Sequence, residues 1–264
     1  MAPSAVSHWC EIWGLRPTGP IPNATCSFVW EVAHDELGAC VLKVPFPGTE
    51  EVDAVTALLV FREHGGVSIV RYDEETGAVL MPKLRSGIDL ASTNISDKEQ
   101  TGICAALIRR LRGVTTTVPF KLETWFRDLD NVYGDPMIDE ARRIAADLFA
   151  TSPPPKLLHG DLHHFNILRH GEEWVVIDPK GVMGDPAYEV AAFMRNPVNA
   201  PPDIPTLARR IRLFHELLGD PIDRLWAWSY VQTTLSALWS DGEFSQTWKK
   251  AAQNLRDLKG SFYE

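Results

Sequence analysis

The chain has 264 residues, enough for two lobes sharing one interface, and its 45% hydrophobic and 23% charged residues are those of an ordinary soluble globular protein. A formal net charge of -9 excludes nucleic acid and anionic membrane as natural main partners and suits a small cationic ligand. No apolar run approaches the ~20 residues of a membrane helix; the start MAPSAVSHWCEIWG lacks the pattern of a secretory signal; and the scattered Cys10, Cys26, Cys40 and Cys104 read as reduced thiols, so a cytoplasmic location is expected.

SFVWEVA (27–33) and ACVLKVPF (39–46) alternate apolar and polar side chains as half-buried strands do, with DELG (35–38) as the turn between them. TEEVDAVTALLVFREHGG then sets Val52, Val55, Leu58, Leu59 and Phe61 at helical spacing, with acids in its first turn and glycines just past its end. The continuous apolar run GAVLMPKL (77–84) reads as a buried strand. These elements predict a small, mostly-β lobe over residues 1–85. After Arg85-Ser86-Gly87 the pattern turns helical, predicting a second lobe over 86–264 joined by a hinge-like connection. Ser96 and Glu99 form the capping box of a helix that Gly113 ends, and helical patterns follow at 121–133, 136–150, 205–218, 221–240 and 245–259. Trp226, Trp228, Trp239 and Trp248 lie on the last two of these and read as core. Pro153-Pro154-Pro155 stops a helix before KLLHGDLHHFNIL, an apolar approach into a polar loop, and EEWVVIDPKG, a short strand ending in an aspartate. The fold class expected is α+β, with a small β lobe and a larger helical one. Nothing in the sequence fixes an oligomeric state.

The chemistry concentrates in residues 157–197. Phosphoryl transfer needs a carboxylate that accepts or orients the proton of the attacking hydroxyl, and oxygen ligands that hold magnesium against a triphosphate. Asp161 suits the first role, and Asn166 and Asp178 the second. The apolar residues Leu157, Leu158, Ile167 and Leu168 on either side would clamp the loop between packed strands.

HGDLHHFN resembles the catalytic loop of aminoglycoside phosphotransferases, H-G-D-x-x-x-x-N, and IDPKG stands where protein kinases carry Asp-Phe-Gly. GDPAYEVAAFMRNP, PFKLETWF and LSALWSDG are similar to stretches of the aminoglycoside and hydroxyurea resistance kinases, the streptomycin 6-phosphotransferase group, and the likeness extends from about Asn23 onward. The resemblance implies a protein-kinase-like two-lobed fold, with ATP and Mg2+ in the cleft and a streptomycin-like aminoglycoside phosphorylated on a hydroxyl. By that likeness Asp161 is the base, Asn166 and Asp178 are magnesium ligands, and His159 and Asp185 brace the catalytic loop. Lys43 matches the lysine that contacts the α- and β-phosphates, paired with an acid on the next helix, Glu51, with Glu50 and Asp53 as rivals. The phosphate loop is PNATCSFV (22–29), where Thr25 and Ser27 offer donors in place of glycines. Adenine would lie against Met81-Pro82-Lys83-Leu84, with Leu84 rather than Pro82 as the amide donor because proline has no N–H. His163, Asp241 and Glu243 are the candidate substrate contacts.

Three other readings compete. His159, Asp161, His163 and His164 are residue types that bind zinc, as in a metallohydrolase, though this leaves Asn166 and IDPKG unused. A non-catalytic nucleotide-binding protein would be expected to lose Lys43, Asp161, Asn166 or Asp178, and all four are present. A kinase of another antibiotic or metabolite, such as choline or a sugar, would use the same machinery.

Overall fold

The computed structural model describes residues 2–22, 26–46 and 54–259. The two alternating segments form β2 (Ser27–His34) and β3 (Gly38–Pro45), an antiparallel hairpin in which Val29 faces Lys43. The buried run forms β5 (Val79–Pro82) on the far side of β3. With β1 (Arg16–Pro20) and β4 (Arg71–Tyr72) they complete a five-stranded sheet in the order β1-β2-β3-β5-β4. One face of this sheet is covered by α1 (Ser4–Trp13), whose Val6, Trp9 and Cys10 pack on Val32, Cys40, Leu42 and Leu80. The sequence reading assigned no element before residue 27. The i, i+3, i+4 spacing of α1 and its end at Gly14, left-handed at φ +66°, were available signals. β1 carries two prolines and a glycine and is a strand because it pairs at the edge of the sheet, where a missing N–H is tolerated.

The other face receives α2 (Ala54–Phe61); the first turn expected for this helix, with Glu50, Glu51 and Asp53, lies outside the described residues, as do Asn23, Ala24 and Thr25. α2 serves two cores at once. Its Val55 and Leu58 pack with Val67 and Val79 of the β region, while Ala57 and Phe61 join the large core of the helical region. The chain leaves the sheet after Pro82 and enters β6 (Ser86–Asp89) of a second, three-stranded sheet, β6-β8-β9, where β8 is Ile167–His170 and β9 is Glu173–Val176. β7 (Lys156–Leu158) and β10 (Val182–Gly184) pair separately.

The helical region follows its sequence signals closely. α3 (Asp97–Leu111) has the full Ser96–Glu99 capping box, and α5 (Pro136–Ala150) starts at a proline behind the Asp135 cap. α7 (Ile204–Leu218) and α9 (Gly242–Leu258) flank α8 (Ile222–Trp239), which is buried along most of its length from Leu225 to Ala237. Trp228, with no exposed surface, sits edge-on to Phe126, Phe149 and Tyr188 in one aromatic cluster. Two expectations are corrected. The single helix expected over 121–133 is a four-residue α4 (Glu123–Phe126) running into a 3-10 turn, because the backbone at Leu122 is tied instead to Met183 O. Of the four tryptophans read as core, Trp239 is 47% exposed, since α8 emerges from the core at its last turn. No helix among the described residues is long and apolar enough to cross a membrane.

Candidate active site

The loop after β7 and the loop after β9 are sewn together by backbone geometry. Lys180 N donates to His159 O (2.7 Å), Ile177 N donates to Asn166 O (3.0 Å), and Asn166 Nδ2 donates to Asp161 O (2.9 Å). His159 has no exposed surface and links both loops: Nε2 meets Ile177 O at 2.8 Å, and Nδ1 accepts from Asp161 N at 3.4 Å. A neutral ring with its proton on Nε2 satisfies both bonds, and burial pushes this imidazole down to about 4, so it is neutral at physiological pH.

Asp178 has a left-handed backbone, φ +58°, unusual for any residue but glycine and tolerated by aspartate. Its Oδ1 accepts from Lys43 Nζ, reaching across from β3, and its Oδ2 from Lys180 Nζ at 3.3 Å. Burial by itself would raise this carboxyl; the two ammoniums outweigh burial and hold it far below the ordinary range. A buried lysine is costly unless paired, and Lys43 is only 7% exposed. Ser27 is buried at the start of β2, opposite Pro45 and beside the strand that carries Lys43. At the chain's exit from the sheet, the Lys83 amide is taken by Ala39 O and the Arg85 amide by His170 Nδ1, with Pro82 and Leu84 half-buried beside them.

The Asp161 side chain is 28% exposed and flanked by two groups from different elements. His163 Nε2 lies 3.6 Å from Oδ2, and Arg195 Nη2, from α6 (Ala191–Arg195), lies 3.8 Å from Oδ1. Burial opposes the charged carboxylate, and His163, Arg195 and Lys180 more than offset it, so Asp161 sits below its ordinary range. His163 is held below its ordinary value by burial. Arg195 is itself held in place: Nη1 donates to Gln232 Oε1 (3.0 Å), and the guanidinium lies 5.0 Å over the Trp248 ring.

One expected role goes to a different residue. Asp185 makes no hydrogen bond to the Asp161 loop; its Oδ1 caps Ala187 N (3.0 Å), and its Oδ2 accepts from Arg224 Nε (2.5 Å) and Trp228 Nε1 (2.6 Å), fastening the turn to α8. Four residues on, Glu189 makes the contact expected of Asp185: Oε2 accepts from His159 N (2.8 Å) and Oε1 from Gly160 N (3.0 Å). A single 3-10 turn separates the two acids, and the turn aims Asp185 at α8 and Glu189 at the loop. Glu189 and Arg195 were both missed. Each is a charged residue inside the apolar run of GDPAYEVAAFMRNP, which was the available signal. Asp241 and Glu243 stand exposed at the start of α9, two and four residues after Trp239. The histidines do not gather as a metal site: His159 is tied to the two loops, and His164 is stacked on Phe193 (3.8 Å between centroids). Among the described residues no three His, Cys, Asp or Glu side chains converge to hold a metal.

Comparison with known families agrees with this arrangement. The model of the aminoglycoside/hydroxyurea antibiotic resistance kinases matches residues 12–243. The chain belongs to that family. As a resistance-kinase family member it is 28% identical to the streptomycin 6-kinase of Streptomyces glaucescens, over 96% of this chain and 87% of the relative. It is likewise 28% identical to the hydroxyurea phosphotransferase of Kitasatospora aureofaciens (91% and 74%) and to the streptomycin 3''-kinase of Klebsiella pneumoniae (88% and 91%). Among solved structures it matches the choline kinase LicA from Streptococcus pneumoniae with TM-score 0.69 at 14% identity, covering 95% of this chain and 97% of that one. It also matches aminoglycoside phosphotransferase APH(4)-Ia, in ternary complex with ADP and hygromycin B, with TM-score 0.66 at 16% identity (97% and 98%). The family member described here therefore has the two-lobed protein-kinase-like fold and is a small-molecule kinase.

Proposed function

We propose that this kinase transfers the γ-phosphoryl group of ATP to a hydroxyl of a cationic aminoglycoside, streptomycin first, in a magnesium-dependent reaction that inactivates the drug. The observation carrying the reading is that Lys43 of β3 meets Asp178 and Lys180 on a loop locked by backbone hydrogen bonds to the loop of the part-exposed Asp161. Lys43 would contact the ATP phosphates, Ser27 would lie along them, and the Leu84 amide would meet adenine. The donor set suits magnesium: Asn166 spends its amide N–H on the loop and keeps its carbonyl oxygen, and Asp178 brings a carboxylate, both hard oxygen ligands. Bound there, the ion would neutralise phosphate charge.

Asp161 would accept a hydrogen bond from the substrate hydroxyl and aim its oxygen at the γ-phosphorus. As the new P–O bond forms, the bond to the β-phosphate oxygen breaks, the hydroxyl proton passes to Asp161, and ADP leaves. Arg195 and His163 would hold the carboxylate in line. Phosphate placed on the drug adds negative charge where its target expects a cation. The test is ATP- and magnesium-dependent phosphate transfer to streptomycin, other aminoglycosides, hydroxyurea and choline. Asp161→Asn should lower kcat on the order of 10²–10⁴-fold with ATP affinity kept. A small loss would remove Asp161 from the role of base, and transfer only to a different acceptor would retire the aminoglycoside assignment.

A further inference from the structure

Trp239 stands apart from the other tryptophans of the last two helices: it is 47% exposed, whereas Trp226, Trp228 and Trp248 are 4%, 0% and 7% exposed. It is nevertheless fixed. Its Nε1–H donates to Asp128 Oδ2 at 2.7 Å, and its ring meets Trp125 edge-on, with centroids 6.3 Å apart and planes at 87°. Trp125 in turn lies against the catalytic loop, for a Cβ built on Gly160 would sit 3.2 Å from Trp125 Cη2. Gly160 precedes Asp161, so an unbroken chain of contacts runs from the residue before the base to an exposed indole. Leu129 and Leu235 of the same two elements lie in the core, whereas Trp239 and Asp128 themselves face solvent.

An exposed aromatic face with a carboxylate pinned at its edge has a definite chemical preference. A guanidinium is planar and weakly hydrated; it stacks on indole and donates in its own plane to a carboxylate. The indole takes one lone pair of Asp128, and a carboxylate has about four acceptor sites, so the group can still accept a paired donor. A tetrahedral ammonium gains the charge but not the stacking. We propose that Trp239 and Asp128 form the acceptor seat, recognising a planar, guanidinium-type cation on the substrate and so presenting a hydroxyl to Asp161. This rests on the kinase reading above and adds its specificity-determining residues. Asp241 and Glu243, the acids first suspected from sequence, are then rim charges that steer the cation without fixing it.

The experiment is calorimetric binding of streptomycin, which carries two guanidino groups, and of kanamycin, which carries only amines. Both are titrated into the whole protein with ADP and magnesium present, so the result does not depend on turnover. Asp128→Asn keeps an acceptor for the indole and removes the charge; Trp239→Ala removes the face, and Trp239→Phe restores part of it. The expectation is streptomycin binding weakened roughly tenfold or more by Asp128→Asn and by Trp239→Ala, with partial recovery in Trp239→Phe. Kanamycin binding should change much less, and ADP affinity and melting temperature should hold, as both residues are exposed. Streptomycin binding unchanged in the variants, equal losses for both drugs, or no streptomycin binding to the parent protein would each overturn the seat. If binding behaves as expected but no phosphate moves to streptomycin, the seat stands and the reaction assigned above falls.

Discussion

Glu189 offers the sharpest test of how the site is built, because two backbone amides of the Asp161 loop depend on one buried side chain. In Glu189→Ala the His159 and Gly160 N–H groups, bonded at 2.8 and 3.0 Å, lose their acceptor in a place water does not reach. A buried donor left unsatisfied costs about 1–3 kcal/mol, so the pair should cost roughly 2–6 kcal/mol, or on the order of 5–20 °C of melting temperature in a chain of this length. The loop carrying Asp161 would also shift, and a displacement of ~1 Å near the chemistry costs on the order of 10²-fold in rate. A pH series isolates the charge. Burial raises the Glu189 carboxyl, the two amides and Arg112 oppose it, and the balance lies at about 7, against an ordinary 4.5. Between those values the folded protein holds a proton that the unfolded chain has released. This group's contribution to stability is therefore complete below pH 4.5, declines as pH rises toward 7, and is level above it. The span of about 2.5 pH units corresponds to roughly 3 kcal/mol. Glu189→Gln does not titrate, so in urea melts its stability relative to the parent should improve by about that much from pH 4.5 to pH 7. A gap that stays constant or widens over this range, or a Glu189→Ala variant that melts with the parent, would refute the account.

Other outcomes follow from the same geometry. Lys43→Met removes the buried ammonium paired with Asp178, and calorimetry should show MgATP binding weakened about tenfold or more; unchanged affinity would place the phosphates elsewhere. Arg195→Gln leaves Asp161 without the cation at 3.8 Å and should lower kcat about tenfold, with Arg195→Lys recovering part of it and the KM for ATP little changed. A kcat equal to the parent's would make Arg195 a structural residue only. Asp185→Asn keeps an acceptor for Ala187 but weakens the pair with Arg224, and is expected to destabilise by about 1–3 kcal/mol while lowering kcat far less than Glu189→Ala does. The reverse ranking in steady-state assays would return the loop-bracing role to Asp185.

What the sequence determined by itself is what short-range chemistry encodes. Strand alternation over 27–33 and 39–46, the capping box of α3, the proline start of α5 and the HGDLHHFN–IDPKG pair all follow from residues close in the chain. The apolar spacing of α1 and its end at Gly14 are equally local. What only the tertiary structure decided are matters of direction and partner. Two acids four residues apart, Asp185 and Glu189, take different roles because one 3-10 turn points them at different elements. Arg195 reaches Asp161 only through the packing of α6 under the loop, and Lys43 meets Asp178 across a sequence separation of 135 residues. Trp239 leaves the core because α8, buried on nearly every side from Leu225 to Ala237, emerges from it at its last turn. A periodic pattern fixes which face of a helix is apolar, but only the packed neighbours determine where that face ends and what lies beyond it.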